Sequence, residues 1–486
     1  MKILPVLLKD GYKVGHVFQY PYDTQFVYSN FTPRKSRTGF DYTMLFGLQY
    51  FIKEYLIDQF NENFFKQPKD IVLREYKRRI SNYVGPISID HIATLWELGY
   101  LPLRIKAVPE GTLVPANVPV LTIRNTKPEA MFLTNMLETL MSAVLWKPCT
   151  SATTAFQYRR VFEDFAKRTG GSRDFVKWQG HDFSFRGMSG VEDACMSGAA
   201  HLLSFTGTDT IPAIDFLEQY YGANSDRELV DGSVPATEHS VMSMGTPENE
   251  SGTFERLLTE IYPSGILSVV SDTWDLWKVI GEILPVKKDM ILNRNGKLVI
   301  RPDSGDPADI LCGDTNSTNE LVRKGVVECL WDIFGGTYSK LGFKELNPHI
   351  GTIYGDSITL ARQQDILSRL EAKGFASTNV VLGIGSYTYE YVTRDSYGFA
   401  MKATWGQTTS RGDMDIYKNP KTDDGTKKSH RGLLRLDRDD SGKIIVKQQC
   451  TMEEEHGGLL QTVFLDSKLI RNQTLAQIRA LVESQL

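Results

Sequence analysis

Residues 349–375 read HIGTIYGDSITLARQQDILSRLEAKGF, and this stretch decides the fold. A short apolar run ends in Gly355-Asp356-Ser357, and a helical segment follows. Ser357 is placed to cap that helix and Gly374 to end it. Three further runs repeat the pattern: GILSVVSD (265–272), KLVIRPDSGDP (297–307) and NVVLGIGS (379–386). Short buried strands alternating with helices form parallel β/α units. In such units the loops at the carboxyl ends of the strands carry the active site. All four loops here hold Asp, Ser, Gly or Arg. A turn explains any one of them; four in succession are better explained by a site for a phosphorylated sugar.

Outward from these runs the pattern changes. Residues 44–66 and 70–84 have helical spacing, 101–125 alternates like a β-hairpin or meander punctuated by Pro and Gly, and helical patterns return at 128–145 and 153–168. After 390 the chain alternates again, in YGFAMKATWG and in LLRLDRDDSGKIIVKQQ, which turns at Asp440-Ser441-Gly442, and a short helix is predicted at 473–485. The expected organisation is an α/β chain. Its β/α body spans 151–389, and a discontinuous β-rich and helical domain is built from 1–150 plus 390–486.

At 486 residues, with 41% hydrophobic and 23% charged residues, the chain has the composition of a globular protein with a large core. A net charge of −4 provides no global basic field to recruit nucleic acid or an anionic membrane, so anions must be met by local clusters. Five scattered cysteines, with no C-x-x-C pair, point to a reducing compartment and no zinc ribbon. The six-residue apolar run at the start is too short for a secretion signal, and no stretch approaches a membrane span, so a cytoplasmic location is expected. A Walker phosphate loop and an H-E-x-x-H motif are both absent, and GIGSYT (383–388) lacks the third glycine of the dinucleotide fingerprint. The strand-end loops contain no Lys, which argues against Schiff-base chemistry. EEEH (453–456) reads as a solvated charge run, and DRDDSG (437–442) as a hairpin turn.

The stretch WQGHDFSFRGMSG (178–190) raises a sharper question. In an extended chain Phe183 and Phe185 point one way, and Asp182, Ser184 and Arg186 the other. An amphipathic strand with a surface salt bridge accounts for this. So does a site that stacks a flat ring and grips an anion.

DGYKVGH (10–16), HDFSFRG (181–187) with GTDT (207–210), SVPATEHS (233–240), and IRPDSGDP (300–307) with YGD (354–356) decide between them. In this order and spacing, over essentially the whole chain, they closely resemble the nicotinamide phosphoribosyltransferase family. The resemblance implies an irregular (β/α) barrel-like body with a β-rich domain, working as a homodimer with shared active sites. The implied reaction moves a phosphoribosyl group from phosphoribosyl pyrophosphate to nicotinamide, for NAD biosynthesis. Mg²⁺ is expected to be held mainly by pyrophosphate and water, with few protein ligands.

By the same resemblance Phe183 stacks on one face of the nicotinamide ring, and Tyr12 of the partner subunit closes the other. By alternation alone Phe185, on the same face one pleat further on, is expected in the core. Asp209 accepts a hydrogen bond from the carboxamide and repels the carboxylate of nicotinate. Ser233 and Ser268 line the pocket. Arg186 and Arg301 serve the ring-and-phosphate region, where a guanidinium donates to two oxygens at once. Asp303 and Asp356 suit the ribose hydroxyls, and Gly355 and Gly385 allow close backbone approach. Arg34, Arg394, Lys402 and Lys418 match basic residues that surround phosphates from the partner; on their own they would read as a solvated basic face. His239 matches a histidine that is phosphorylated when ATP hydrolysis is coupled to transfer.

One departure stands out: Gly385-Ser386-Tyr387 replaces a frequent run of three glycines. It bears on substrate affinity more than on reaction type. Two alternatives remain: a nicotinate phosphoribosyltransferase, with Asp209 as discriminator, and a catalytically silent protein of the same fold.

Overall fold

The structure, a computed structural model, describes residues 3–419 and 428–486. The chain divides into two units: Met1–Thr153 with Phe216–Ala223 and Val392–Gln485, and Thr154–Asp215 with Asn224–Tyr391. Sequence boundaries at 150 and 390 assign 216–223 to the β/α body, but its side chains pack in the other unit. The Tyr221 ring stacks on Phe46 at 4.9 Å, and its hydroxyl donates to the buried Glu110 carboxylate at 2.9 Å.

The second unit is built on six parallel strands. Their order is Gly207–Thr208, Gly180–Asp182, Val380–Ile384, Ile350–Tyr354, Asn295–Arg301 and Ser264–Val270. All four runs singled out in the sequence are therefore neighbours in one sheet. Leu267, Val269, Leu298, Ile300, Ile350, Leu382 and Ile384 are fully buried in its core, as runs covered on both faces require. The segment 232–237 joins the sheet's two edges. Gly232 bridges to Gly207 and Ala236 to Ser268, both in parallel. Thr208 N donates to Gly232 O at 3.1 Å and Thr237 N to Ser268 O at 3.0 Å. These contacts close the sheet into an irregular barrel.

In the first unit Thr24–Pro33 is inserted between Phe399–Thr408 and Leu121–Asn125 in a seven-stranded sheet. Strand-forming stretches at either end of the chain thus share one sheet. The 433–438 and 444–450 strands form the hairpin read from sequence, turning through Gly442 at φ 81°.

Local details differ from expectation. The helix after Tyr354 is capped by Thr359, which accepts from Arg362 N, and Ser357 instead takes a left-handed conformation at φ 53°. The helical patterns at 128–145 and 153–168 do not remain separate: Glu138–Thr169 is one helix running through Pro148. A helix tolerates one missing N–H if packing compensates, and the proline ring sits where a Cβ on Gly47 would be 2.6 Å from its Cγ. The charge run 453–456 is not solvated throughout. Glu455 is fully buried, 2.6 Å from Arg104 Nη2 and 3.3 Å from Lys106 Nζ.

Candidate active site

Every strand of the barrel delivers a polar or aromatic residue or a glycine at its carboxyl end. Thr208 leads to Asp209, Asp182 to Phe183, Ile384 to Gly385, Tyr354 to Gly355 and Asp356, Arg301 to Asp303, and Val270 to Asp272. Parallel strands end on the same side, so the topology alone brings these residues together.

The 180–182 strand is too short for the expected alternation to continue. It gives way to a 3₁₀ turn at Phe185–Gly187, which leaves Phe185 38% exposed rather than in the core, and Arg186 exposed. Asp182 does not pair with Arg186. Its carboxylate is buried and accepts from Ser184 N at 2.9 Å, Thr208 Oγ1 at 3.0 Å and Thr210 Oγ1 at 2.7 Å, holding the turn in place. Beneath it His201 donates and accepts within the wall, to Tyr389 and the carbonyls of Gly180 and Gly207. Burial lowers its pKa to about 4, so it is a neutral structural histidine.

Phe183 is half-buried and lies against two glycines. A Cβ on Gly383 would come 2.3 Å from its ring, and one on Gly355 would come 2.9 Å from it and 3.3 Å from Asp303 Oδ1. The smallness of Gly355 thus makes room first for the aromatic ring. At Gly385 a Cβ would meet nothing within 4 Å, so that loop faces open space. Gly383 was not singled out from sequence; its place in Gly-Ile-Gly, one pleat before Gly385, was the available signal.

Asp209 accepts from His181 Nε2 at 2.9 Å and from Ser233 Oγ at 2.7 Å, both at Oδ1. Burial pushes its carboxyl up. The hydrogen bond and charge of His181, the Ser233 hydroxyl and the Arg301 charge outweigh this and hold it below its ordinary value. Asp209 is therefore a carboxylate over the whole neutral range. Ser268 is buried, and its Oγ has no partner among the described residues.

Arg301 donates through Nη2 to Thr237 O at 2.6 Å, which ties the 295–301 strand to the closing segment. Asp303 N donates to Asp272 Oδ2 at 2.8 Å, and Ser304 Oγ donates to the same oxygen at 2.6 Å. His239 Nε2 lies 4.0 Å from Asp303 Oδ2, and its Nδ1 is 3.1 Å from Thr273 Oγ1. Burial raises the Asp303 pKa, Arg301 and His239 oppose this, and the charges of Asp272 and Asp356 add to it. Asp356 itself accepts from Ser357 Oγ at 2.8 Å. Asp272 and Thr273 escaped the sequence reading, although GILSVVSD ends on the first of them.

The first unit carries the remaining assigned residues. Lys402 has its pKa lowered by burial and by the charges of Arg34, Lys418 and Lys13, against an opposing effect of Glu138. Those four cations therefore share one neighbourhood. Tyr12 is 65% exposed, and the Lys13 ammonium stands 5.1 Å from its ring centroid. Arg394 is exposed and pairs loosely with Asp395 at 3.7 Å. A cleft of about 640 Å³ lies beside Arg34, lined also by Lys35, Lys428, His430 and Arg431.

Residues 178–468, which include the whole barrel sheet from its Gly180–Asp182 strand onward, match the family described as nicotinate phosphoribosyltransferase. The chain belongs to that family. Residues 5–105 match the N-terminal domain of nicotinamide phosphoribosyltransferase. The chain is 51% identical to a nicotinamide phosphoribosyltransferase of Acinetobacter baylyi, covering 100% of this chain and 98% of that protein. It is 33% identical to one from Xanthomonas campestris, covering 98% and 97%. The family's fold is seen also in the solved nicotinate-nucleotide pyrophosphorylase of Pyrococcus furiosus, with a TM-score of 0.61 over 98% of this chain and 94% of that one at 13% identity. Among the described residues no helix is long and apolar enough to cross a membrane.

Proposed function

We propose that the chain joins the ring nitrogen of nicotinamide to the anomeric carbon of phosphoribosyl pyrophosphate, giving nicotinamide mononucleotide and pyrophosphate, as a step of NAD biosynthesis. The N–C bond forms as the C–O bond to pyrophosphate breaks, and the leaving group keeps the electron pair. The observation that carries this reading is Asp209. It is an anchored carboxylate whose Oδ1 is occupied and whose Oδ2 meets no donor among the described residues, so Oδ2 can accept a carboxamide N–H, and it would repel a carboxylate in the same place.

Phe183 supplies a flat apolar surface, which also favours the pyridinium as it forms. Asp303 and Asp356 are suited to accept from the ribose hydroxyls, and Arg301 and Arg186 to bind developing anionic charge. Catalysis then consists of positioning and charge stabilisation. Among the described residues no group of three or more His, Cys, Asp or Glu is arranged to hold a metal. Asp303 and Asp356 are the carboxylates that would be available to an Mg²⁺ ion brought in with the pyrophosphate, and the ion would neutralise charge on the leaving group.

The platform is open to a direct test. Gly383→Ala places a methyl group where the Phe183 ring lies, and it is expected to raise KM for nicotinamide about tenfold while KM for phosphoribosyl pyrophosphate moves little. Equal changes in both constants would argue against a stacking role.

Coupling to ATP belongs to the same proposal. Thr273 holds Nδ1 of His239, leaving Nε2 as the nitrogen that would take the γ-phosphoryl group of ATP, with release of ADP and later loss of phosphate to water. Mass spectrometry after incubation with ATP should find phosphate on His239, and ATP should raise the product yield at equilibrium. Neither effect would appear if His239 is only a site residue.

We propose further a homodimer in which Tyr12, Arg34, Arg394, Lys402 and Lys418 serve the partner's barrel. The exposure of Tyr12 and the crowding of Arg34, Lys418 and Lys13 around Lys402, with Glu138 as the opposing charge, support this. A fully active monomer in sedimentation would refute it. Five cysteines without a disulfide fit a cytoplasmic enzyme. The decisive assay supplies nicotinamide and nicotinate in parallel with phosphoribosyl pyrophosphate and Mg²⁺. Mononucleotide formed from nicotinamide supports the proposal, whereas product from nicotinate alone, or none from either, overturns it.

A further inference from the structure

The imidazole of His181 is held on three sides. In the parallel pairing of the 180–182 and 207–208 strands, His181 stands opposite Gly207, and a Cβ on that glycine would come 2.6 Å from Nδ1. Its ring packs on Phe183, with centroids 4.9 Å apart and planes tilted by 57°. Its Nε2 faces Asp209 Oδ1 at 2.9 Å. An ionised carboxylate only accepts hydrogen bonds, so Nε2 carries the hydrogen and donates. The residue as a whole is buried.

We infer that His181 is the positioning residue that sets base specificity, because it fills Asp209 Oδ1 jointly with Ser233 and so turns Oδ2 alone toward the carboxamide. This rests on the reading of Asp209 as the acceptor for that amide. Two donors converge on one oxygen, and among the described residues no donor reaches the other. A carboxylate on a flexible χ2 would otherwise present either oxygen, at variable angle, to whatever base arrived. The same imidazole touches the ring platform, so a single side chain fixes the plane on which the base stacks and the atom that reads its substituent.

The test uses the full-length enzyme and three variants. His181→Leu removes the donor. His181→Gln keeps an N–H near the Nε2 position. Gly207→Ala leaves the chemistry of His181 intact but displaces its ring, and Gly207 is not at a positive φ, so alanine meets no backbone strain there. With His181→Leu, KM for nicotinamide is expected to rise about tenfold, the loss of one hydrogen bond to a charged group, while KM for phosphoribosyl pyrophosphate stays within about twofold. The ratio of nicotinate to nicotinamide turnover should rise as well. His181→Gln should recover most of the loss, and Gly207→Ala should change nicotinamide KM in the same direction as His181→Leu.

A His181→Leu enzyme with the parent's nicotinamide KM and base ratio would overturn the inference, as would equal rises in both substrate constants. So would a Gly207→Ala enzyme that binds nicotinamide as the parent does. Failure of the parent itself to use nicotinamide would instead overturn the function on which the inference depends, so the two failures are distinguishable.

Discussion

Replacing Asp209 by asparagine is expected to lower kcat/KM for nicotinamide about a hundredfold and to shift the enzyme's preference toward nicotinate. The magnitude is that of a hydrogen bond to a charged group in a site partly closed to water. The direction follows from the neighbours. His181 Nε2 and Ser233 Oγ both donate to Oδ1, so the asparagine must offer its own oxygen there. Its NH₂ then takes the place of Oδ2. A donor now faces the carboxamide NH₂ where an acceptor stood, and the negative charge that repelled nicotinate is gone. Both changes disfavour nicotinamide relative to nicotinate. The measurement is a competition with both bases in one tube, the two mononucleotides being resolved by chromatography. An unchanged product ratio would mean that Asp209 does not read the substituent.

Asp209 was assigned through its resemblance to the family motif, which said nothing of what holds the carboxylate in place. The β/α body was legible because buried parallel strands are written as short apolar runs, and a strand's carboxyl end is where its apolar run stops. Asp303, Asp356 and Gly385 lie just beyond such ends, so their convergence followed from topology. His181 and Gly383 lie inside strands, where the end of an apolar run does not mark them, and for Gly383 the Gly-Ile-Gly spacing was the one available signal. Their meaning depends on which strand is next door, and strand order cannot be read along one chain. The fate of Phe185 failed for a related reason. Alternation predicts facing only while the strand lasts, and the three-residue strand ended at Asp182, where the Ser184 amide and two threonines satisfy the carboxylate and the backbone turns. Glu455 shows the reverse error. A run of acidic residues looks solvated until Arg104 and Lys106, from a strand some 350 positions earlier in the chain, take one member inside.

The substitution Asp303→Asn should separate stability from activity. Burial and the charges of Asp272 and Asp356 raise the Asp303 pKa, and Arg301 and His239 do not cancel them. A carboxyl group whose folded pKa lies above its unfolded one weakens the folded state when ionised. That penalty is fully present above the folded pKa, and it is relieved as pH falls through that value and the group takes up a proton. At neutral pH asparagine removes the penalty, so the unliganded variant should melt at a higher temperature than the parent. The gap should close as the medium is acidified. The backbone N–H of residue 303 still donates to Asp272, so the loop keeps its anchor. Activity should move the other way, with kcat/KM falling about a hundredfold or more, because the acceptor proposed for the ribose hydroxyls has lost its charge. Phosphoribosyl pyrophosphate with Mg²⁺ should then stabilise the parent more than the variant, since bound hydroxyl groups relieve the repulsion that the free site stores. A variant that melts lower than the parent without ligand, or that gains as much from substrate, would show that the crowding of carboxylates around Asp303 is not what substrate binding relieves.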